Sequence, residues 1–320
     1  YGAYTGMNTE GWTENVVLTI KNGTFEGEIV KSSSFEEKAN ITVYGGTFTD
    51  ADVVEYCAQY HKAEEENGRY NVFPVYVAKD GKDNKYFTLQ SAVDAAEDES
   101  VITLLSDANG DGVVVPEGKE ITFDFSGYTY TVDGKLVGSA GTETLGLQLL
   151  KGAKVTLKNG TLKAGKNVKF LVQNYADLNV DEMTLDVTGV DYQYAYALSN
   201  NCGNILVTGE SNISSDYVAF DLWYNLQGAY PEGVTVTFDE TFTGTVIGDM
   251  EYGAYTGMNT EGWTEKVVLT IKNGTFEGDF VKSSSFEEKA NITVYGGTFA
   301  DGDVAEYCAE DFKAVADGEK

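Results

Sequence analysis

Two eight-residue phrases near the end of the chain, LTIKNGTF (269–276) and ITVYGGTF (292–299), share one pattern and start 23 residues apart. In each phrase apolar residues alternate with polar ones, so that one face of a strand points inward. Asn-Gly or Gly-Gly then turns the chain through a positive-φ position. A short strand, a turn and a return after about 23 residues is the period of one coil of a parallel β-helix.

The same pattern recurs along the preceding chain, where strand phrases start at positions 121, 155, 178, 205 and 234. Together with the first two phrases they give successive intervals of 34, 23, 27, 29, 35 and 23 residues. Such intervals fit coils whose loops differ in length, whereas an antiparallel sandwich has turn signals roughly every 8–12 residues. Segments 147–150, 170–172, 194–198 and 218–222 can supply a second strand to each coil. The sequence therefore predicts an all-β solenoid built as a parallel β-helix.

One helix is expected ahead of these strands, over residues 86–97. Thr88 can cap it, and Ser91 and Asp94 lie in its first turns. Its apolar stripe consists of Leu89, Ala92, Val93 and Ala96. A helix in this position can close the end of a strand stack, which would otherwise present unpaired edges.

The end of the chain repeats its beginning, because residues 252–309 reproduce residues 1–58 at an offset of 251 positions. The copies differ at six places: Asn15/Lys266, Glu28/Asp279, Ile29/Phe280, Thr49/Ala300, Ala51/Gly302 and Val54/Ala305. This self-similarity indicates a window cut from a tandem array, holding one full unit and the tail of the unit before it. Enzymes seldom need long near-identical copies in series, whereas stalks, adhesins and multivalent binders often do.

The composition is strongly acidic, with 22 Lys plus Arg against 51 Asp plus Glu and a formal net charge of −29. Nucleic-acid binding by phosphate neutralisation is therefore not expected. No apolar run reaches membrane-spanning length, so no membrane insertion is expected of this segment. The cysteines lack a CxxC spacing. We interpret them as buried free thiols, with a Cys202–Cys308 disulfide as the alternative.

Several phrases resemble those of adhesin-like repeat arrays of Gram-positive gut anaerobes. These phrases are Phe87–Ala96, Ile102–Asp107, Ile121–Tyr128, the GGTF ending, and the closing stretch Asp52–Ala58 with Tyr70–Val72. The resemblance covers essentially all of residues 52–308 and is specific for architecture rather than for ligand. It implies a right-handed, pectate-lyase-like β-helix on a large extracellular cell-surface protein, with one short N-terminal capping helix per module.

The resemblance also places a module boundary near residue 79. Residues 1–78 would then be the C-terminal coils and closing segment of the preceding repeat together with the junction. Residues 79–320 would be one essentially complete β-helix module. The expected partners are neighbouring repeats of the same chain, and glycans or host surface proteins.

Many β-helices are polysaccharide lyases or hydrolases, but this chain has few of the residues that such chemistry uses. Its single Arg and single His, Arg69 and His61, lie in the closing or junction stretch, and Phe312 replaces His61 in the second copy. The carboxylate candidates are Asp181, Glu182, Asp186 and Asp191, or Asp239 with Glu240. A glycosidase needs two carboxyls about 5–10 Å apart, which sequence cannot establish. We interpret these groups as solvated surface and predict no catalytic residue.

Two further motifs are candidates for ligand binding. Asp107, Asn109 and Asp111 copy the first half of a calcium loop, although Gly118 stands where the closing Glu belongs, and these residue types also make plain turns. Calcium is therefore the only cofactor that the sequence suggests.

Aromatic residues are the expected ligand contacts. Tyr192, Tyr194 and Tyr196 alternate and so should share one face, and Trp223 and Tyr224 lie near a loop. Such rings either stack on sugars or fill the coil interior.

These observations predict a non-enzymatic structural and adhesion repeat, acting as a rigid spacer that can bind glycans or a host surface. Two alternatives stay open: a carbohydrate-active β-helix enzyme, and a self-associating extracellular filament subunit.

Overall fold

The computed structural model describes residues 16–30, 40–224, 233–254, 263–282, 290–300 and 302–316. The structure is predominantly β. It divides into two compact units, Tyr1–Tyr76 and Val77–Lys320. Among the described residues, no helix is long and apolar enough to cross a membrane.

The first unit is a small sheet assembly with its own core. Its described elements are β1 (Val17–Ile20), β2 (Thr24–Phe25), β3 (Asn40–Val43), β4 (Gly46–Phe48), a 3-10 helix (Ala51–Tyr56), β5 (His61–Glu66) and β6 (Arg69–Pro74). Strand β1 pairs in parallel with β3, and β2 with β4. Strands β5 and β6 form an antiparallel hairpin, and β6 also pairs antiparallel with β4.

The second unit contains the long series of strands. Its described elements are β7 (Ala78–Lys79), β8 (Lys85–Tyr86), α1 (Leu89–Ala95), β9 (Ser100–Leu104), β10 (Ala108–Gly110), β11 (Val113–Val115), β12 (Glu120–Asp124), β13 (Thr129–Val132), β14 (Leu145–Leu149), β15 (Lys154–Ala164), β16 (Phe170–Asn174), β17 (Asp177–Val187), β18 (Tyr196–Asn201), β19 (Asn204–Thr208), β20 (Asn212–Tyr224), β21 (Val234–Phe238), β22 (Thr245–Ala254), α2 (Trp263–Lys266), β23 (Val267–Ile271), β24 (Thr275–Glu277), β25 (Phe280–Lys282), β26 (Asn291–Val294), β27 (Thr298–Phe299) and a 3-10 helix (Gly302–Tyr307).

Parallel pairing sorts the strands from β9 onward into three ladders. The first ladder is β9, β12, β15, β17, β19, β21, β23 and β26. The second is β10, β13, β15, β17, β20, β22, β24 and β27. The third is β11, β14, β16, β18, β20, β22 and β25. The chain therefore visits the ladders in one repeating order: first, second, third.

All but one of the strand phrases read from the sequence contribute to two ladders; the phrase that starts at 234 contributes only to the first. In β15, Asn159 has φ 59° and Gly160 has φ 158°, so the strand bends at its Asn-Gly step and passes from the first ladder to the second. The segments that the sequence suggests as second strands, such as 170–172, lie in the third ladder. Each turn of the chain thus holds three strand segments rather than two.

The interior is filled by the alternate residues of each strand. Val155, Leu157 and Leu162 of β15 are at most 2% exposed, while Thr156 and Thr161 between them face outward. Apolar burial of this kind is the main stabilising term of the fold.

Two asparagines line the interior where third-ladder strands end. Asn174 Nδ2 donates to the carbonyl of Ala176 and to Asn200 Oδ1, at 3.0 Å each. Asn200 Nδ2 in turn donates to the carbonyls of Gly203 and Thr235. The buried side chains therefore satisfy backbone carbonyls at Ala176 and Gly203, outside the strands, and at Thr235, in β21.

Helix α1 begins as the sequence predicts. Thr88 and Ser91 form a reciprocal capping box, and the buried residues of the helix are Leu89, Ala92 and Val93. Gln90 forms two hydrogen bonds to β11, the first strand of the third ladder. Its Nε2 donates to the carbonyl of Val114, and its Oε1 accepts from the N–H of Val114. Strand β7 pairs antiparallel with β9, the first strand of the first ladder. The first strands of the first and third ladders are thereby covered at this end of the unit.

The two copies of the repeated sequence share an isolated backbone bridge. Val43 bridges Cys57 in the first copy, and Val294 bridges Cys308 in the second. None of the three cysteines, all of which are described, forms a disulfide, and all three are only partly buried.

Candidate functional site

The outer face of the third ladder carries a row of polar residues at equivalent positions of successive strands. The row is Gln148, Gln173, Ser199, Asp221 and Glu251. Their neighbours along each strand, such as Leu147 and Leu149, are buried in the interior. The row therefore lies on the side of the strands that faces away from the core.

Asp221 and Glu251 are direct cross-strand neighbours in this row. Asp221 is only 6% exposed, and it accepts hydrogen bonds from the Asn200 N–H at 2.6 Å and from Ser199 Oγ at 3.2 Å. Burial raises the pKa of Asp221 to about 8, with a further contribution from the charge of Glu251, and it outweighs the two hydrogen bonds. Burial also raises the pKa of Glu251. Among the described residues, no Lys or Arg forms an ion pair with either carboxyl.

Tyr196 connects this carboxyl pair to an aromatic surface. Its hydroxyl donates to Glu251 Oε2 at 3.1 Å, and burial together with the nearby carboxyls raises the pKa of the phenol. Its ring stacks on Phe170 with centroids 5.0 Å apart, and Lys169 Nζ lies 5.0 Å from the Phe170 centroid. The ring, the hydroxyl and the carboxyl together present an apolar surface beside hydrogen-bonding groups.

The three tyrosines expected on one face are separated by a turn. Tyr194 adopts φ 62° just before β18, which interrupts the alternation that a continuous strand would give. Tyr192 packs against the core, whereas Tyr194 is 57% exposed and its ring centroid lies 6.1 Å from that of Tyr217. The exposed aromatic surface therefore joins Tyr194 to Tyr217, a residue that the sequence did not single out.

The two adjacent aromatic residues at the end of β20 have opposite environments. Trp223 is partly exposed and lies opposite Asn201 in the register. Tyr224 is 1% exposed and belongs to the core. Of the two alternatives that the sequence left open, Tyr224 therefore fills the interior and is not available to stack on a sugar, because strand alternation turns its ring inward.

The calcium-loop residues are arranged as strand and turn. Asn109 lies within β10 and pairs with Thr131. Asp107 Oδ1 accepts from the Thr129 N–H and Asp111 Oδ1 from the Lys135 N–H, both at 2.8 Å. A strand advances about 3.3 Å per residue, so the three residues of β10 separate the aspartates instead of gathering them around one ion. Across the described part of the chain, no three His, Cys, Asp or Glu side chains converge as metal ligands.

Four of the six carboxylates nominated from sequence have separate partners. Asp186 pairs with Lys163 at 2.5 Å, and Glu240 pairs with Lys272 at 2.8 Å. Asp181 accepts from Thr208, and Asp239 from Thr241.

The carboxyl pair that the structure brings together, Asp221 with Glu251, was not identified from sequence. One signal was available, because Asp221 interrupts the apolar run Val218–Tyr224. Burying a charge within such a run costs free energy unless the charge is paired and hydrogen-bonded.

Comparison with known protein families, with curated proteins and with solved structures finds no match to this chain.

Proposed function

We propose that residues from about 79 onward form a right-handed parallel β-helix module of a tandem surface protein. The repeating first, second, third order of the ladders supports this architecture, since every strand meets its counterpart from the previous turn in parallel. Connections between parallel strands are almost always right-handed, which supports the proposed hand.

The module acts as a non-enzymatic spacer and adhesion unit on the outside of the cell. The observation that carries this proposal is the pair of sequence copies with equivalent backbone bridges, Val43 to Cys57 and Val294 to Cys308. Because the two copies share this bridge, adding further copies of the sequence would lengthen the array and present the same surface many times. Multivalent presentation raises the avidity of a weak contact without any new interaction.

The ligand that we propose is a glycan, bound at the aromatic surface formed by Phe170, Tyr194, Tyr196 and Tyr217. Rings of this kind stack on the apolar faces of sugars, while the hydrogen-bonding groups beside them receive hydroxyls. The net charge of −29 and the carboxyls beside Tyr196 favour neutral or amino sugars over uronic and sialic acids.

A polysaccharide panel tests this function directly. The whole chain is incubated with neutral, amino-sugar and acidic polymers, and both retention of the protein and release of short products are measured. Retention on neutral or amino-sugar polymers without product is the expected result. Retention on acidic polymers alone, or on none, would contradict the glycan proposal.

The second candidate is a carbohydrate-active enzyme, favoured by one observation, the in-register pair Asp221 and Glu251. Neighbouring strands lie about 4.8 Å apart, which is close to the carboxyl spacing of about 5–5.5 Å in retaining glycosidases. Release of products in the panel, abolished by Glu251→Gln, would establish the enzyme and refute the spacer.

A further inference from the structure

Asn-Gly steps occur at five places in the chain, at 22–23, 67–68, 109–110, 159–160 and 273–274. Such a step is open to an intramolecular reaction, because glycine has no side chain to keep its nitrogen away from the preceding side-chain amide. The structure places the five steps in three different backbone settings. The same dipeptide therefore has unequal access to this chemistry along the chain.

Two of the steps adopt a conformation that separates the reacting atoms. Asn67 has φ 54° and Asn159 has φ 59°, which is the left-handed region, where ψ is about +47°. This ψ turns the nitrogen of the next residue away from Cβ, and hence away from the side-chain carbonyl carbon Cγ. Asn159 Nδ2 also donates to Asp124 Oδ1 at 3.3 Å, so its side chain has a competing partner.

A third step is fixed by strand pairing. Asn109 and Gly110 lie in β10, opposite Thr131 and Val132 of β13. Rotating the Gly110 nitrogen towards the Asn109 side chain would break this parallel pairing. We therefore expect the step at 109–110 to be protected while the strand is paired.

The repeat position shared by Asn22 and Asn273 lacks both restraints. Neither asparagine has a positive φ, and both lie between strands instead of within one. The Gly23 N–H donates to Asn22 Oδ1 at 2.8 Å, so the glycine nitrogen is already in contact with the amide group that it would attack. Asn273 has a turn of the chain on either side of it and is still partly exposed, which gives water access to this position.

The glycine of this position cannot be replaced without strain. Gly274 has φ 112° and Gly23 has φ 131°, a region that residues with a side chain rarely adopt. A Cβ at Gly274 would also overlap the ring of Phe242. A bulkier residue would slow the reaction, but the fold requires glycine, so the reactive step is retained.

We propose that the Asn-Gly step shared by Asn22 and Asn273 is a self-modification site, which converts to aspartate and isoaspartate in the folded chain. The glycine nitrogen attacks Cγ and closes a cyclic imide, and the side-chain nitrogen leaves as ammonia with the proton of the glycine N–H. Water then adds to one imide carbonyl and breaks its C–N bond. Opening at Cγ gives aspartate, and opening at the main-chain carbonyl gives isoaspartate, with a main chain one methylene longer. The inference depends on neither the glycan nor the spacer proposal.

The test follows all five steps in one sample. The whole chain is kept in mildly alkaline buffer at body temperature and is mapped by peptide mass spectrometry, in which loss of the amide adds about 1 Da. We expect Asn22 and Asn273 to convert at least about fivefold faster than Asn67, Asn109 and Asn159. Asn159 is the closest control, because all three Lys-Asn-Gly-Thr sequences are identical.

The same chain in urea is the second control, since loss of the fold should bring the five rates to within about twofold of one another. Conversion of Asn159 as fast as that of Asn273 in the folded chain would overturn the proposal, because backbone conformation would then give no protection. Failure of either Asn22 or Asn273 to convert while the urea-treated chain reacts would overturn it too. An unchanged order of rates in urea would show that local sequence, and not the fold, selects the site.

Discussion

Phe25 and Phe276 occupy the same position of two near-identical sequences, yet Phe25 is 38% exposed and Phe276 is fully buried. Each stacks on the phenylalanine that follows in its own copy, Phe48 or Phe299. Phe276 also meets Phe238 at 5.1 Å and Phe242 at 6.1 Å, both contributed by the preceding turn. Phe276 is thus buried by rings of the turn before it, which is how stacked repeats generate stability.

The two phenylalanines should therefore differ in their contribution to stability. Phe276→Ala should lower the free energy of unfolding by about 3–5 kcal/mol, because it leaves a cavity among three rings. Phe25→Ala should cost less than about 1.5 kcal/mol, since part of the ring is already in water. Urea unfolding of both variants measures the difference. Equal costs would show that the preceding turn does not pack as described.

Asp221 should make stability depend on pH. Its pKa of about 8 in the folded chain exceeds the unfolded value of about 3.9, so the folded state binds the proton more tightly. Its contribution is therefore fully present below about pH 4 and is lost as the pH rises towards 8. Asp221→Asn imitates the protonated form. As the pH rises from 5 to 8.5, we expect the free energy of unfolding of the variant to increase by at least about 2 kcal/mol relative to that of the unsubstituted chain.

Denaturant unfolding at the two pH values measures this gain. Asp177→Asn, the same substitution at an exposed position, is the matched control. It should not change the difference between the free energies of unfolding at the two pH values. A constant difference between the Asp221→Asn variant and the unsubstituted chain across the range would mean that Asp221 is already ionised at pH 5.

Tyr194 should contribute to glycan binding and not to stability. Its ring is 57% exposed, so Tyr194→Ala should change the free energy of unfolding by less than about 0.5 kcal/mol. Loss of one stacking ring should weaken retention on the preferred polysaccharide about threefold to tenfold. Affinity electrophoresis measures retention, with Tyr128→Ala, a change of a 38% exposed tyrosine elsewhere, as control. If both variants migrate alike, the sugar binds at another surface.

Asn174 should be essential to the interior because its side chain forms hydrogen bonds to four groups. Asn174→Ala removes this partner from the N–H and the carbonyl of Ala176, from the amide oxygen of Asn200 and from the carbonyl of Asn204. We expect a loss of about 2–4 kcal/mol in the free energy of unfolding. The control is Asn204→Ala, at an exposed residue that forms hydrogen bonds with Asp177 and Thr235. It should lower the free energy of unfolding by less than about 1 kcal/mol. Chemical denaturation followed by circular dichroism compares the two.

The elements that could be predicted from sequence are those set by local patterns. The alternation in phrases such as 269–276 locates strands, and Thr88 with Ser91 locates the start of α1. Both signals depend on residues a few positions apart, which contact each other in any fold that contains the element.

The site could not be predicted, because it depends on register between turns of unequal length. Ser199 lies opposite Asp221, and Asp221 lies opposite Glu251, although the intervals between them differ. The positive φ of Tyr194 likewise breaks an alternation that sequence alone presents as regular. Both errors arise from loops and turns, whose geometry no periodicity specifies.

The parallel ladders also determine how the second unit would respond to mechanical load. The hydrogen bonds of each ladder join successive turns of the chain, so a force along the ladder acts on the outermost turn first. A released turn of about 27 residues lengthens the chain by about 90 Å. A stalk built from such modules would extend in steps under fluid shear, dissipating energy while its attachment to a surface holds.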